Sequence, residues 1–209
     1  MRKVALSLAL IGLAWPFLGA APAQAQAQRT WVSSAGDDAN PCSRTAPCRT
    51  FQGALAGNKT AAGGEINCID AGDFGQVTIT FSITISCAAG TAGILAANFQ
   101  GIFINAAATD VVTLRGLDID GQGTGDAGML IASAGSVRVE KCIIRNFRRN
   151  GQAAGITTSA GPQTIFLYVA ETVISDNWNG IRTVQSDGTN NTGGSNGGVG
   201  VPNATLTKN

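Results

Sequence analysis

A strand motif that opens on glycine recurs along the middle of this chain: Gly101-Ile102-Phe103-Ile104, Gly128-Met129-Leu130-Ile131, Gly155-Ile156-Thr157-Thr158 and Gly180-Ile181-Arg182-Thr183. Its starts lie 27, 27 and 25 residues apart. A second strand set keeps step with it: residues 112–120 align with 137–145 and again with 167–175. An earlier copy, Val77-Thr78-Ile79 through Ile83-Thr84-Ile85, carries one extra residue. A period of this length predicts a solenoid. One turn of chain cannot bury its own apolar face, but turns stacked about 4.8 Å apart bury a continuous cylinder. The aligned columns fit inward ladders: Val112, Val137, Leu167; Leu114, Val139, Val169; Leu117, Cys142, Thr172; Ile119, Ile144, Ile174. The columns between them are mixed and mostly polar, with Thr113, Arg138 and Tyr168 in one and Arg115, Glu140 and Ala170 in the next. Alternation places these outside. A Greek-key sandwich would not require unlike strands to return in the same order. The expected fold is therefore an all-β parallel β-helix.

The chain begins with the pattern of a secretory signal. Arg2 and Lys3 precede an apolar stretch from Val4 to Leu18, and small residues follow at Ala21-Pro22-Ala23, Ala23-Gln24-Ala25 and Ala25-Gln26-Ala27. The apolar run is short for a bilayer span of about 20 residues. The expected organisation is a signal peptide over residues 1–27, a strand, loop and capping helix over 28–62, and β-helix rungs over 63–209. Export would make the protein secreted, periplasmic or displayed at the cell surface, with no membrane span after cleavage. Removing Arg2 and Lys3 takes the net charge from +1 to −1, and only 13% of residues are charged. Nucleic acid is therefore not an expected partner, since phosphate binding needs a basic patch. The chain has no histidine, which excludes Ser-His-Asp and Cys-His catalysis and His-based zinc sites within it.

All five cysteines follow the signal, and an oxidising compartment permits bridges. Cys42 and Cys48 share one loop. Cys68 and Cys87 end consecutive strand-like runs and would meet in adjacent layers. The expected bridges are Cys42–Cys48 and Cys68–Cys87, with Cys142 free in an inward column. Between them, Thr50 is placed to cap a short helix that carries Phe51, Ala54 and Leu55 on one face.

Three stretches resemble the start of pectate-lyase-like right-handed parallel β-helix proteins: residues 36–41, then Pro47-Cys48-Arg49-Thr50-Phe51-Gln52-Gly53-Ala54, then residues 64–74. The resemblance implies a right-handed β-helix whose open end is plugged by a short N-terminal helix. It also implies a first strand that ends in a Gly-x-aromatic turn, filled here by Gly72, Asp73 and Phe74. Ile174-Ser175-Asp176-Asn177 and Gly180-Ile181 look like the family's repeat, with Asn in the turn and Gly opening the next strand. The fold hosts lyases, hydrolases, adhesins and proteins without activity, so it does not assign a function.

The candidate catalytic residues are Asp118 and Asp120. They are two apart on one strand, so both point outward with Cα atoms roughly 6–7 Å apart, a spacing that suits paired carboxylates acting as acid and base on a polysaccharide. The bland alternative is an ion pair, because Asp120 stacks over Arg145 in the aligned columns. A lyase would need Ca²⁺ and a base. Asp118, Asp120 and Asp126 are the candidate calcium ligands, with Arg138, Lys141 or Arg145 as base. The turn at Asp37 and Asp38 is a further candidate cation site, although Asp in such a turn needs no metal. No cofactor is otherwise expected. Arg138 and Tyr168 are candidate ligand-binding residues, a Tyr–Arg pair on an outward column suited to stacking on a sugar. The leading expectation is an exported, non-catalytic β-helix that serves as a glycan- or envelope-associated binding or structural module. The alternative is a polysaccharide lyase or glycoside hydrolase at Asp118 and Asp120. At the far end, residues 199–209 read as the first strand of a rung that stops before its second. That implies a longer β-helix cut short, an end hidden by self-association, or a minimal fold-back cap.

Overall fold

The computed structural model describes residues 26–88, 90–159 and 164–183. Most of the expected signal, and the stretch in which a final rung or cap was expected, lie outside them. The described residues form a parallel β-solenoid of about 4 turns with three faces. Sheet A contains β1 (Ala27–Val32), β2 (Thr60–Cys68), β5 (Ile83–Ser86), β8 (Val111–Arg115), β11 (Ser136–Glu140) and β14 (Phe166–Ala170), in that order. Sheet B stacks β3 (Gly72–Asp73), β6 (Ala92–Leu95), β9 (Leu117–Asp120), β12 (Ile143–Arg145) and β15 (Val173–Ser175). Sheet C stacks β4 (Val77–Ile79), β7 (Gln100–Asn105), β10 (Ala127–Ser133), β13 (Ala154–Thr158) and β16 (Asn179–Thr183). The chain visits A, B and C in turn, and every pairing between the strands is parallel.

The register follows the aligned columns. Val137 lies between Val112 and Leu167, and Ile144 between Ile119 and Ile174. One assignment is corrected. Val77–Ile79 does not begin a sheet A strand: it pairs with β7 in sheet C, and Ile83 is the residue in register with Val112. The V-x-I alternation is the same on every face, so periodicity alone cannot say which face a short strand joins.

Each bend has its own chemistry. Sheet A passes to sheet B through a single left-handed residue, Gly116 (φ 74°), Lys141 (φ 54°) or Glu171 (φ 48°). Only the first must be glycine, because a Cβ there would stand 2.2 Å from the Cys87 carbonyl oxygen. Inside the cylinder, the glycines that open the sheet C strands face the isoleucine ladder of sheet B. A Cβ on Gly101, Gly128 or Gly155 would stand 2.7, 2.4 or 2.6 Å from Cγ2 of Ile119, Ile144 or Ile174. The recurrent glycine thus makes room for a branched side chain across the core. Phe147 fills the next gap, fully buried against Gly121 and Gly125.

The short helix α1 (Phe51–Leu55) follows β1 rather than preceding every strand. The Thr50 hydroxyl accepts the Gly53 N–H at 2.8 Å and caps it. Phe51, Ala54 and Leu55 are buried, and the Phe51 ring meets that of Phe74 with centroids 5.2 Å apart. Gly72 and Asp73, expected in a turn, instead form β3 and pair with β6, and Phe74 directly after them brings its ring beneath the helix. Strand β1 begins at Ala27, whose N–H donates to the Lys59 carbonyl at 2.9 Å, and β2 begins at Thr60.

Candidate functional site

Asp118 and Asp120 project from the outer face of β9, separated by buried Ile119. Arg145 on β12 lies beside Asp120 in register. Its guanidinium donates to both Asp118 oxygens, through Nε at 3.1 Å and Nη2 at 3.0 Å, and reaches Asp120 Oδ2 through Nη1 at 2.9 Å. The other Asp120 oxygen accepts the Gln122 N–H at 2.8 Å and the Asn146 amide at 3.0 Å. The Asp118 hydrogen bond, with the charge of both carboxylates behind it, holds the guanidinium proton more tightly than usual. The cluster is one cation clamped between two anions, and its side chains are between 16% and 37% exposed. Every carboxylate oxygen of the pair has a partner.

Asp126 does not join this cluster. Its carboxylate accepts Arg149 Nη1 at 2.8 Å, and the same nitrogen donates to the Asn98 carbonyl. Among the described residues, no group of three or more Cys, Asp or Glu is placed to hold a metal ion. The Asp37–Asp38 turn is occupied by protein groups. Asp37 accepts the Ala39 N–H at 2.8 Å, while Asp38 accepts the Arg49 and Thr50 N–H groups and the Thr50 hydroxyl. Partial burial pushes the Asp38 pKa upward, but the bonds from Thr50 and Arg49, with the charge of Lys59, hold it below the usual carboxylate range. Asp70 is lowered by the Ser33 hydroxyl and the Ser34 N–H, and Asp110 by the Ser82 hydroxyl and the Ala107 N–H. These three aspartates fasten loops to the solenoid.

The second candidate site lies on sheet A. Thr113, Arg138 and Tyr168 stand in register on successive outward positions. The Arg138 guanidinium carbon is 5.9 Å from the centre of the Tyr168 ring, within cation–π range. Tyr168 is 48% exposed. One rim of this face is charged, where Lys141 pairs with Glu171 at 3.7 Å. The arrangement offers an aromatic face, a phenol and a guanidinium to one ligand.

The cysteines follow the expected pairing. Cys42 and Cys48 are bridged with Cα atoms 4.6 Å apart, and Cys68 and Cys87 with Cα atoms 5.0 Å apart across β2 and β5. Cys142 is free and buried. Desolvation pushes its thiol pKa up, and it is placed to donate to the Glu140 carbonyl at 3.3 Å.

Compared with protein-family models, with curated proteins and with solved structures, the chain matches none. The β-solenoid itself stands on the strand register.

One contact carries no mark in the sequence. Gln52 on α1 reaches the edge strand of sheet C, where its Oε1 accepts the Thr78 N–H at 2.9 Å. Nothing periodic links residues 52 and 78, so only the folded chain brings them together. No helix among the described residues is long and apolar enough to cross a membrane.

Proposed function

We propose that the chain is an exported, non-catalytic β-solenoid that offers the outer face of sheet A to a glycan of the cell envelope or its surroundings. The observation that carries this reading is the exposed Arg138–Tyr168 stack on a rigid parallel sheet. A ring that is held in place loses little freedom on binding, and its face suits the C–H side of a sugar. Arg138 adds donors for hydroxyl or carboxylate oxygens. The two disulfides suit an oxidising compartment outside the cytoplasm. Acid–base hydrolysis or elimination at Asp118 and Asp120 would need carboxylates within reach of a substrate, and the Arg145 guanidinium already engages both.

A glycan-binding screen with the full chain tests the proposal. At least one glycan should be retained, and Tyr168→Ala or Arg138→Ala should weaken that retention about tenfold or more, the loss expected for one aromatic or charged anchor. Retention of no glycan, or retention indifferent to both variants, would defeat it. Reducing ends or unsaturated products that disappear with Asp118→Asn or Asp120→Asn would point to the enzyme instead.

A further inference from the structure

A groove separate from both sites above lies beside α1, on the outer face of sheet C. It has a volume of about 240 Å³ and is lined by Gln52, Gln76, Val77, Thr78, Gln100 and Phe103. None of these side chains is charged. Thr78 and the half-buried Phe103 are neighbours in register on β4 and β7, and both border the groove.

The Gln52 hydrogen bond fixes how the groove is presented. The Thr78 N–H is a donor, so the Gln52 atom that meets it must be the oxygen. The amide nitrogen, with its two donors, is left for a ligand. The same bond occupies a backbone group of β4, the edge strand of sheet C, and so disfavours addition of a peptide strand there. Gln76 is exposed and Gln100 half-buried, and neither side chain has a hydrogen-bond partner among the described residues.

The geometry points to a binding site for a single uncharged sugar ring. Each glutamine amide offers donors and an acceptor, as each sugar hydroxyl does. A charged ligand would lose hydration here and meet no counter-charge. The volume falls below the roughly 300–1,000 Å³ of pockets for drug-sized ligands, which suits one ring rather than an oligomer. Arg138 and Tyr168 do not line this groove, so the site stands or falls independently of the proposal for sheet A.

Titration of the ¹⁵N-labelled full chain with glucose, galactose or N-acetylglucosamine, and separately with galacturonate, tests the inference. At least one neutral sugar should move the side-chain amide signals of Gln52, Gln76 and Gln100 saturably, with a Kd on the order of 1 mM. Gln100→Ala should weaken that binding at least tenfold, Arg138→Ala should leave it unchanged, and galacturonate should move none of the three signals. Gln76→Ala, at an exposed side chain, should weaken binding without altering the backbone spectrum, which separates lost binding from lost folding. No saturable shift with any neutral sugar up to about 100 mM, a hundredfold above that Kd, would overturn the site. So would binding that survives the glutamine variants, or an equal response to galacturonate.

Discussion

Arg145 holds two aspartates with one guanidinium, and its removal would leave two carboxylates side by side on β9. Partly buried carboxylates stripped of their cation repel each other and leave desolvated oxygens without a donor. Arg145→Ala is therefore expected to lower stability at pH 7 by about 1–2 kcal/mol, discounted for the exposure of all three side chains. Urea unfolding measures the loss. Adding Asp118→Asn in that background should recover part of it, because one negative charge is gone; a second variant no more stable than the first would show that repulsion is not the cause. The repeat alignment already stacked Asp120 over Arg145. It could not show that Asp118 shares the same cation, because Asp118 sits in register with Ile143 and the guanidinium reaches it diagonally. Pairing along a column is legible in a repeat, whereas a long side chain that crosses columns is not.

Among the elements, the glycine that opens each sheet C strand was the clearest mark in the sequence, and its reason became plain only when sheet B faced it. Gly128→Ala places a methyl group against Ile144 Cγ2 and the Gly155 carbonyl oxygen, 2.4 and 2.5 Å away before relaxation. Overpacking of this kind costs about 1–3 kcal/mol, so the melting temperature should fall. Gly180→Ala is the matched control, since no described atom lies within 4 Å of its Cβ position; equal losses in the two would remove the steric explanation. The loop aspartates make a separate claim. Asp38, Asp70 and Asp110 all have lowered pKa values in the folded chain. Their stabilisation is complete above the unfolded carboxylate pKa of about 3.9 and drains away as pH falls through the lower folded values. Thermal melts between pH 6 and pH 2 should show little change above pH 5 and a steep decline below pH 4. Asp110→Asn should make that decline shallower.

For the whole molecule, the period announced the solenoid, and the inward columns predicted the register of the later rungs. The first rungs were harder to place. The Val77–Ile79 strand carries the same alternation as its neighbours, and only its pairing with β7 assigns it to sheet C. The groove between α1 and sheet C was invisible for a related reason: the helix that supplies Gln52 interrupts the pattern, so no period says which rung it lies against. Stacking in series also shapes how the molecule would bear a load. Each rung bonds only to the one before and the one after, so tension applied beyond β16 would strain one rung at a time, like a zip drawn from its open end. Each release would pay out a 25- or 27-residue length of chain, about 82–97 Å when extended at roughly 3.3–3.6 Å per residue. At Cys87 the bond to Cys68 would carry the tension across, so the 19-residue step between them cannot be paid out. That covalent link divides the solenoid into a stretch that can pay out and a base, with the short helix, that can stay seated while it does.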